Sequence, residues 1–440
     1  MKQYDSYKDS GVEWIGEVPS HWEVMKTSLA FHGIGSGTTP STSKKEFYDD
    51  NDGYYWLQTG DLNDGLINDT SKKITKLAIS QCNLKFYPID SIVIAMYGAT
   101  IGKVGILGIK TATNQACCVL PANKNMNSKF AFYEFLACKP ALLVSAIGGG
   151  QPNISQDVIR KQKIAIPPLL EQNIIATYLD NKCSEIDNVI SAQQKRIALL
   201  QELKQSVITH AVTKGLNPNV EMKDSGVEWI DKIPSNWNIV RLKNDCSLKG
   251  RIGWNGLRSE EFEKESYAYL VTGQDFVSSD IDWSKCYQIN KKRYDEDPCI
   301  QLENGDLLIT KDGTIGKIAK VSNMDKPACL NSGIFVLKQK TRKEFVQGYL
   351  YWSLYSDLLK EFNSYTSTGT TILHLYQNVF ENMPLVVPPK KEQQEISDYL
   401  DKKTKAIDLS LSKAQHQVEL LQEYKQSLIT EVVTGKRKVC

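Results

Sequence analysis

The sequence predicts an α+β (mixed α/β) chain: two β-rich bodies in a tandem, pseudo-two-fold repeat, joined by two long helices. Three observations predict it. The octapeptide Lys8-Asp9-Ser10-Gly11-Val12-Glu13-Trp14-Ile15 recurs unchanged as Lys223 to Ile230, 215 positions on. Two heptad seams follow two Pro-Pro dipeptides, 221 positions apart. Between lead-in and seam, each copy holds short β-rich runs separated by Gly, Asn and Asp turns. A prior of roughly 150 residues per domain suggests about three domains for 440 residues. The repeat revises that to two copies of one unit.

Each copy opens on a polar lead-in, residues 1–20 and then 216–234. Pro19-Ser20-His21-Trp22 returns as Pro234-Ser235-Asn236-Trp237. The bodies follow at 21–165 and 235–386. Tyr54–Leu57, Ser91–Met96 and Ala116–Leu120 read as strands in the first, and Tyr267–Val271, Leu307–Thr310 and Ile334–Leu337 in the second. Ser128–Leu143 and Lys343–Asn363 read as helices. Ala99-Thr100-Ile101-Gly102-Lys103 matches Gly313-Thr314-Ile315-Gly316-Lys317, whereas the rest of each body matches only at isolated positions. The two halves share a frame and differ in what it carries.

The long helices occupy the last part of each copy, 166–215 and 387–440. Pro167-Pro168 and Pro388-Pro389 suit a helix entry, and Gly215 and Gly435 suit its stop. A period of 3.5 runs through Leu179, Ile186, Ile190, Ile197, Leu200 and Val207, and again through Leu400, Ile407, Leu411, Val418, Leu421 and Leu428. Each helix could pack on its own body, or the two could pair with each other. Lys204 and Lys425 fall in the seam of both copies, where a polar residue sets register rather than adding stability. A seam of this length is roughly 50 Å long. If the helices run antiparallel, the bodies lie at opposite ends of a rod.

The net charge of +2 excludes attachment to nucleic acid or membrane by bulk charge alone. The first body is mildly basic, 15 Lys and Arg against 11 Asp and Glu, while the second is balanced at 19 against 19. No apolar run approaches the roughly 20 residues of a membrane helix, and the polar start carries no signal peptide. The ten cysteines form no C-x-x-C pair and the five histidines are scattered, so zinc is not expected. Reduced, mostly buried thiols in a cytoplasmic protein are the plain expectation. Catalytic motifs fail on spacing. Gly98 to Val104 is one residue short of a phosphate-binding loop and lacks its hydroxyl. Gly33, Gly35 and Gly37 do not form G-x-G-x-x-G. No Asn/Asp-Pro-Pro-aromatic motif of amino-methyltransferases occurs, and the two Glu-x-Lys triplets lie inside heptad helices. The alternative is an enzyme, a nuclease or DNA methyltransferase, with an unrecognised active site.

The Lys-Asp-Ser-Gly-Val-Glu-Trp-Ile lead-in, the Pro-Ser-x-Trp, the Gly33–Pro40 segment, the Thr-Ile-Gly-Lys turn and the Pro-Pro-x-x-Glu-Gln helix entry together resemble the DNA-specificity (S) subunit of type I restriction-modification systems. The resemblance covers essentially the whole chain. It implies two target-recognition domains, each reading one half of a bipartite, non-palindromic target in double-stranded DNA. It further implies that the helices pair as an antiparallel coiled coil, set the gap between half-sites and dock two methyltransferase (modification) subunits. Restriction (translocase/endonuclease) subunits join outside. The chain itself then has no catalytic residues and no cofactor, with S-adenosylmethionine and ATP on its partners. A 50 Å rod spans roughly fifteen base pairs, enough to set two reading heads about one turn apart. Near neutrality suggests weak binding by the isolated chain, with affinity supplied largely by partners.

Candidate DNA-facing groups are the polar and basic side chains of loops. In the first body these are Ser36, Thr38 and Thr39 of the glycine-rich segment, Lys44, Lys45, Lys72, Lys73, and Gln151 and Asn153 after three glycines. In the second they are Arg251, Asn255, Arg258, Lys291, Lys292, Arg293, Thr370 and Thr371. Lys103 and Lys317 belong to the turn common to both halves and read equally as phosphate contacts or as plain turn residues.

Overall fold

A computed structural model describes residues 3–49, 51–146, 152–251, 257–277, 279–340, 344–366 and 375–439. It forms two compact units that do not coincide with the tandem copies. The first comprises Met1–Gln194 with Gln415–Cys440, and the second Lys195–Ala414. Each unit therefore takes part of both long helices, Leu169–Lys214 and Lys390–Val433.

In the first unit, Tyr7–Asp9 and Glu17–Pro19 form the lead-in hairpin, with Gly11 at φ +63° donating its amide to the Asp9 carboxylate. Glu23–Lys26 then pairs antiparallel with Lys163–Ile166, so the body begins and ends on one two-stranded ribbon. A five-stranded sheet runs in the order Gly35–Ser36, Cys117–Leu120, Ile92–Ala95, Val104–Leu107, Gly65–Ile67. A four-stranded sheet runs Lys73–Ile74, Tyr54–Leu57, Thr111–Thr113, Phe86–Tyr87. Leu57, Val93, Ala95, Cys117 and Val119 pack into one core between them.

The second unit repeats this plan. Met222–Asp224 pairs with Lys232–Pro234, and Asn238–Arg241 with Pro384–Val387. The larger sheet runs Cys246–Gly250, Ile334–Gln339, Leu307–Thr310, Ile318–Lys320, and the smaller Tyr287–Ile289, Ala268–Val271, Ala328–Leu330.

The helix expected over Ser128–Leu143 is present as Ser128–Val144. The one expected over Lys343–Asn363 is two helices, Gln347–Tyr355 and Asp357–Thr366. Ser356 leaves the helical path with ψ 173°, and its hydroxyl takes the Leu358 amide. Thr209 of the central helix accepts the Asp357 amide at 3.0 Å and donates to its carboxylate. Side-chain oxygens at a helix start outweigh continuation of the previous helix there.

The repeated Glu-Gln dipeptide clamps each body to its helix. Glu171 accepts the indole N–H of Trp22 at 3.0 Å, and Glu392 that of Trp237 at 2.9 Å. Gln172 is buried, accepts the Asn127 amide and donates to the Pro167 carbonyl. Gln393 accepts the Val346 amide and donates to the Glu344 and Pro388 carbonyls. The repeated Lys-Gln pair has an equally fixed use. Gln426 donates to the Leu136 carbonyl, and Gln205 to that of Tyr355.

Within each unit the helix segments run antiparallel. In the first, Glu171 and Lys438 both meet Tyr4, and Lys425 pairs with Asp187 at 2.7 Å. In the second, Gly215 lies beside Glu392, and Lys204 pairs with Asp408 at 2.7 Å. Leu179, Ile186, Ile190, Leu400, Ile407, Val418 and Leu428 are buried, and Ile197, Leu200, Val207, Leu411 and Leu421 are half-buried. The two seam lysines pair with carboxylates on the facing segment.

Glu134, in helix Ser128–Val144, is fully buried. Its Oε1 accepts the Ala165 amide at 2.8 Å, and Oε2 has no partner among the described residues. Burial pushes its carboxyl up from 4.5 to about 8, partly opposed by the Ala165 bond. The folded state therefore keeps a proton that the unfolded chain releases. This contribution to stability is full below pH 4.5 and is lost as pH rises toward 8. Glu134→Gln should flatten that dependence. Between pH 5 and pH 9, urea titrations should show wild type losing on the order of 4 kcal/mol relative to the variant; parallel pH profiles would contradict this origin.

The nine described cysteines are free thiols, seven of them buried. Cys117 and Cys118 sit in one strand, and burial pushes the Cys118 thiol up to about 12. Among the described residues no His, Cys, Asp and Glu cluster could hold a metal. No described helix is long and apolar enough to cross a membrane.

Candidate nucleic-acid interface

The ends of several strands in the first unit bring polar loops together at one edge. Asn114 organises them. Its amide donates to the Leu57 carbonyl at 2.9 Å, its carbonyl accepts the Gly37 amide, and its side chain accepts the Ala116 amide. This joins three segments: Ser36–Thr39, Gln58–Gly60 and Asn114-Gln115. A fourth enters through Met96, which accepts Ile154 and donates to Ala116, so that Tyr97–Thr100 and Asn153 lie alongside. Thr38, Thr39, Gly60, Gly98, Gln115 and Asn153 are exposed. Gly37 is obligatory here, because a Cβ at this position would lie 1.6 Å from the Thr113 carbonyl oxygen.

The second unit makes part of the same joint. Asn331 donates to the Val271 carbonyl and its side chain accepts the Ser332 amide. Leu375 donates to Lys311 as Ile154 does to Met96. Thr272–Gln274, Lys311–Thr314 and Asn331-Ser332 are thereby brought together. Asp61 and Asp275 tie down the two Thr-Gly loops by accepting the Gln58 and Thr272 amides.

The sequence candidates distribute unequally over this surface. Ser36 is half-buried in its strand, and its carbonyl accepts the Tyr87 hydroxyl. Thr38 and Thr39 stand in the loop cluster, with the Thr39 hydroxyl donating to Gln115. Lys72 flanks it: Lys72 lies over the Tyr48 ring, and its carbonyl accepts the amide of Trp56, whose indole donates to the Thr38 carbonyl. Lys44 and Lys45 begin the adjoining turn, Lys44 over Phe47. Lys73 lies over Tyr55 and donates to the Asn51 carbonyl. These cations rest on rings and carbonyls, which leaves their charge available to an anion.

In the second unit the cations face carboxylates. Arg293 pairs with Glu261 and Glu296, and Lys291 with Asp295. The Arg258 amide, then the Arg293 guanidinium, hold the Glu261 carboxyl below its usual value. Lys292 and Arg258 are exposed.

Arg251 requires a correction. It is 2% exposed, and its guanidinium donates to the Leu330 carbonyl at 3.0 Å and contacts the Cys329 sulfur. It occupies the place that Gly37 holds in the first unit, and its side chain fills the core where the glycine admits backbone. It offers nothing to a base edge.

Lys103 and Lys317 sit in turns whose glycines lie against later helices: Gly102 faces Leu143 of Ser128–Val144, and Gly316 faces Leu359 of Asp357–Thr366. Gln151, Asn255, Thr370 and Thr371 lie outside the described residues. Sequence reasoning passed over Gln58, Thr59, Asn114, Gln115, Thr272, Gln274, Asn331 and Ser332. The signal was present in the Thr-Gly pairs at 59 and 272 and the Asn residues at 114 and 331.

The chain is similar to known proteins. The family described as "Type I restriction modification DNA specificity domain" matches residues 19–199 and 234–420. The type I restriction enzyme MjaVIII specificity subunit of Methanocaldococcus jannaschii is 26% identical, over 96% of this chain and 94% of its own length. The EcoBI specificity subunit of Escherichia coli is 24% identical over 47% of this chain and 45% of its own. A solved chain from work on complex assembly and conformational transition of the type I R-M system superposes with a TM-score of 0.71 at 15% identity, covering 94% of this chain and 98% of that one. The HsdS subunit from Thermoanaerobacter tengcongensis gives 0.50 at 16% identity, over 96% and 98%. With one matched segment in each half, the chain belongs to the type I restriction-modification DNA specificity family.

Proposed function

We propose that the chain is the non-catalytic, sequence-specific DNA-binding subunit of a type I restriction-modification complex. Each body reads one half of a bipartite, non-palindromic target. The helices set the gap between half-sites and dock two methyltransferase subunits, with restriction subunits joining outside. S-adenosylmethionine and ATP are used on those partners, and the complex works in the cytoplasm.

One observation carries this reading: both units gather matching loops around an Asn whose amide donates to the end of the neighbouring strand, at Leu57 or Val271, yet the exposed side chains differ. A shared frame with unlike contacts reads two unlike sequences. The lysine flank of the first unit supplies phosphate contacts, and the carboxylate-matched cations of the second leave more of the affinity to partners. Mapping DNA methylation in a host that expresses the chain with its modification subunits tests it. One split target with unlike halves is expected; a palindrome, or no sequence preference, overturns it.

A further inference from the structure

We propose that Gln115 is a base-reading residue of the first body, oriented by Thr39 to recognise adenine. The proposal rests on the DNA-recognition reading above and adds the residue, its chemistry and its half-site.

Gln115 is exposed at the apex of the connection between strands Thr111–Thr113 and Cys117–Leu120. The residue before it is fixed on three sides. Asn114 donates to Leu57, accepts from Gly37 and accepts from Ala116 through its own side chain. The glutamine therefore projects from a rigid base. Its amide is oriented as well: the Thr39 hydroxyl donates to Oε1. Thr39 reaches that atom because Gly37 lets the two backbones approach more closely than any side chain allows. With Oε1 facing Thr39, the amide keeps one lone pair and two N–H donors for an external partner. A glutamine presenting an acceptor beside a donor matches N6 and N7 of adenine in the major groove. Preorganisation lowers the ordering cost of that contact.

The second unit supports the assignment by contrast. Asn331 makes the same strand-end contact as Asn114, but Ser332 follows it, with a side chain too short for a two-point contact. The frame residue is common to both halves and the presented residue is not, as expected of a specificity position.

The test uses the full chain with its modification subunits and a randomised DNA pool, scoring the preference at every target position. Gln115→Ala should cut the adenine preference at one position of one half-site by roughly ten- to a hundred-fold, leaving the other positions intact. Gln115→Arg should move that position toward guanine, and Thr39→Val should weaken the same position by less. A uniform fall across all sequences would mean phosphate contact and overturn the proposal. An unchanged profile, or a change in the other half-site, would also overturn it. If wild type itself selects no sequence, the parent reading fails; if wild type selects a target that Gln115→Ala leaves unaltered, only this proposal fails.

Discussion

Exchanging residues 21–165 for the corresponding body of another family member should rewrite one half of the DNA target and leave the other half as it was. The body is delimited by a ribbon whose strands, Glu23–Lys26 and Lys163–Ile166, enter and leave side by side. Its ties to the long helices include the Trp22 indole on Glu171, which recurs in the frame as Trp237 on Glu392, and the bonds of helix Ser128–Val144 and its cap to Gln172, Asp180 and Gln426. An incoming body with the same tryptophan and the same helix contacts restores the joint, and everything at the loop edge changes at once. Each mismatched base pair costs roughly 1–3 kcal/mol, so a half-site altered at several positions is lost completely. Methylation mapping reads both halves in one experiment. A change in both halves would refute the division of labour.

The second large effect concerns the clamp. Gln393→Ala should cost roughly 3–5 kcal/mol, because it strands one N–H and two carbonyls which, with two of the three bonds only half-buried, fall at the lower end of about 1–3 kcal/mol each. Gln172→Ala should cost less, since that side chain holds one amide and one carbonyl in the bonds seen here. At roughly 2–4 °C per kcal/mol for a domain of this size, the Gln393 variant should melt about 6–20 °C lower. Thermal and urea unfolding followed by circular dichroism measure it. A loss below about 1 kcal/mol would mean that water replaces the side chain and that the repeated Glu-Gln has another use.

What the sequence made legible was whatever is periodic or repeated. The heptads and the strand runs are local patterns, and each strand named from the sequence is present within two residues at its ends. What it hid depends on partners far along the chain. Arg251 looked like a surface reader because arginine in a Gly-rich stretch usually is one; only its bond to Leu330, 79 positions on, shows it turned inward. Ser356 interrupts a helical stretch because Thr209, 148 positions before Asp357, caps the second helix. Asn114 and Asn331 looked like ordinary turn residues, and their role emerges only where Leu57 and Val271 meet them.

The helix segments carry carboxylates one heptad apart, at Asp180 and Asp187 and again at Asp401 and Asp408. Each seam lysine thus has two possible seats, and a slide of seven residues would carry Lys425 to Asp180 and Lys204 to Asp401. Those seats are taken. Asp180 holds the Tyr133 hydroxyl and Lys129, and Asp401 holds the Trp352 indole. A slipped pairing would evict these groups and abandon Asp187 and Asp408 together. The bodies themselves thereby veto the wrong alignment of the helices, and the spacing between residues along the seam becomes a single value rather than a ladder of near-equals.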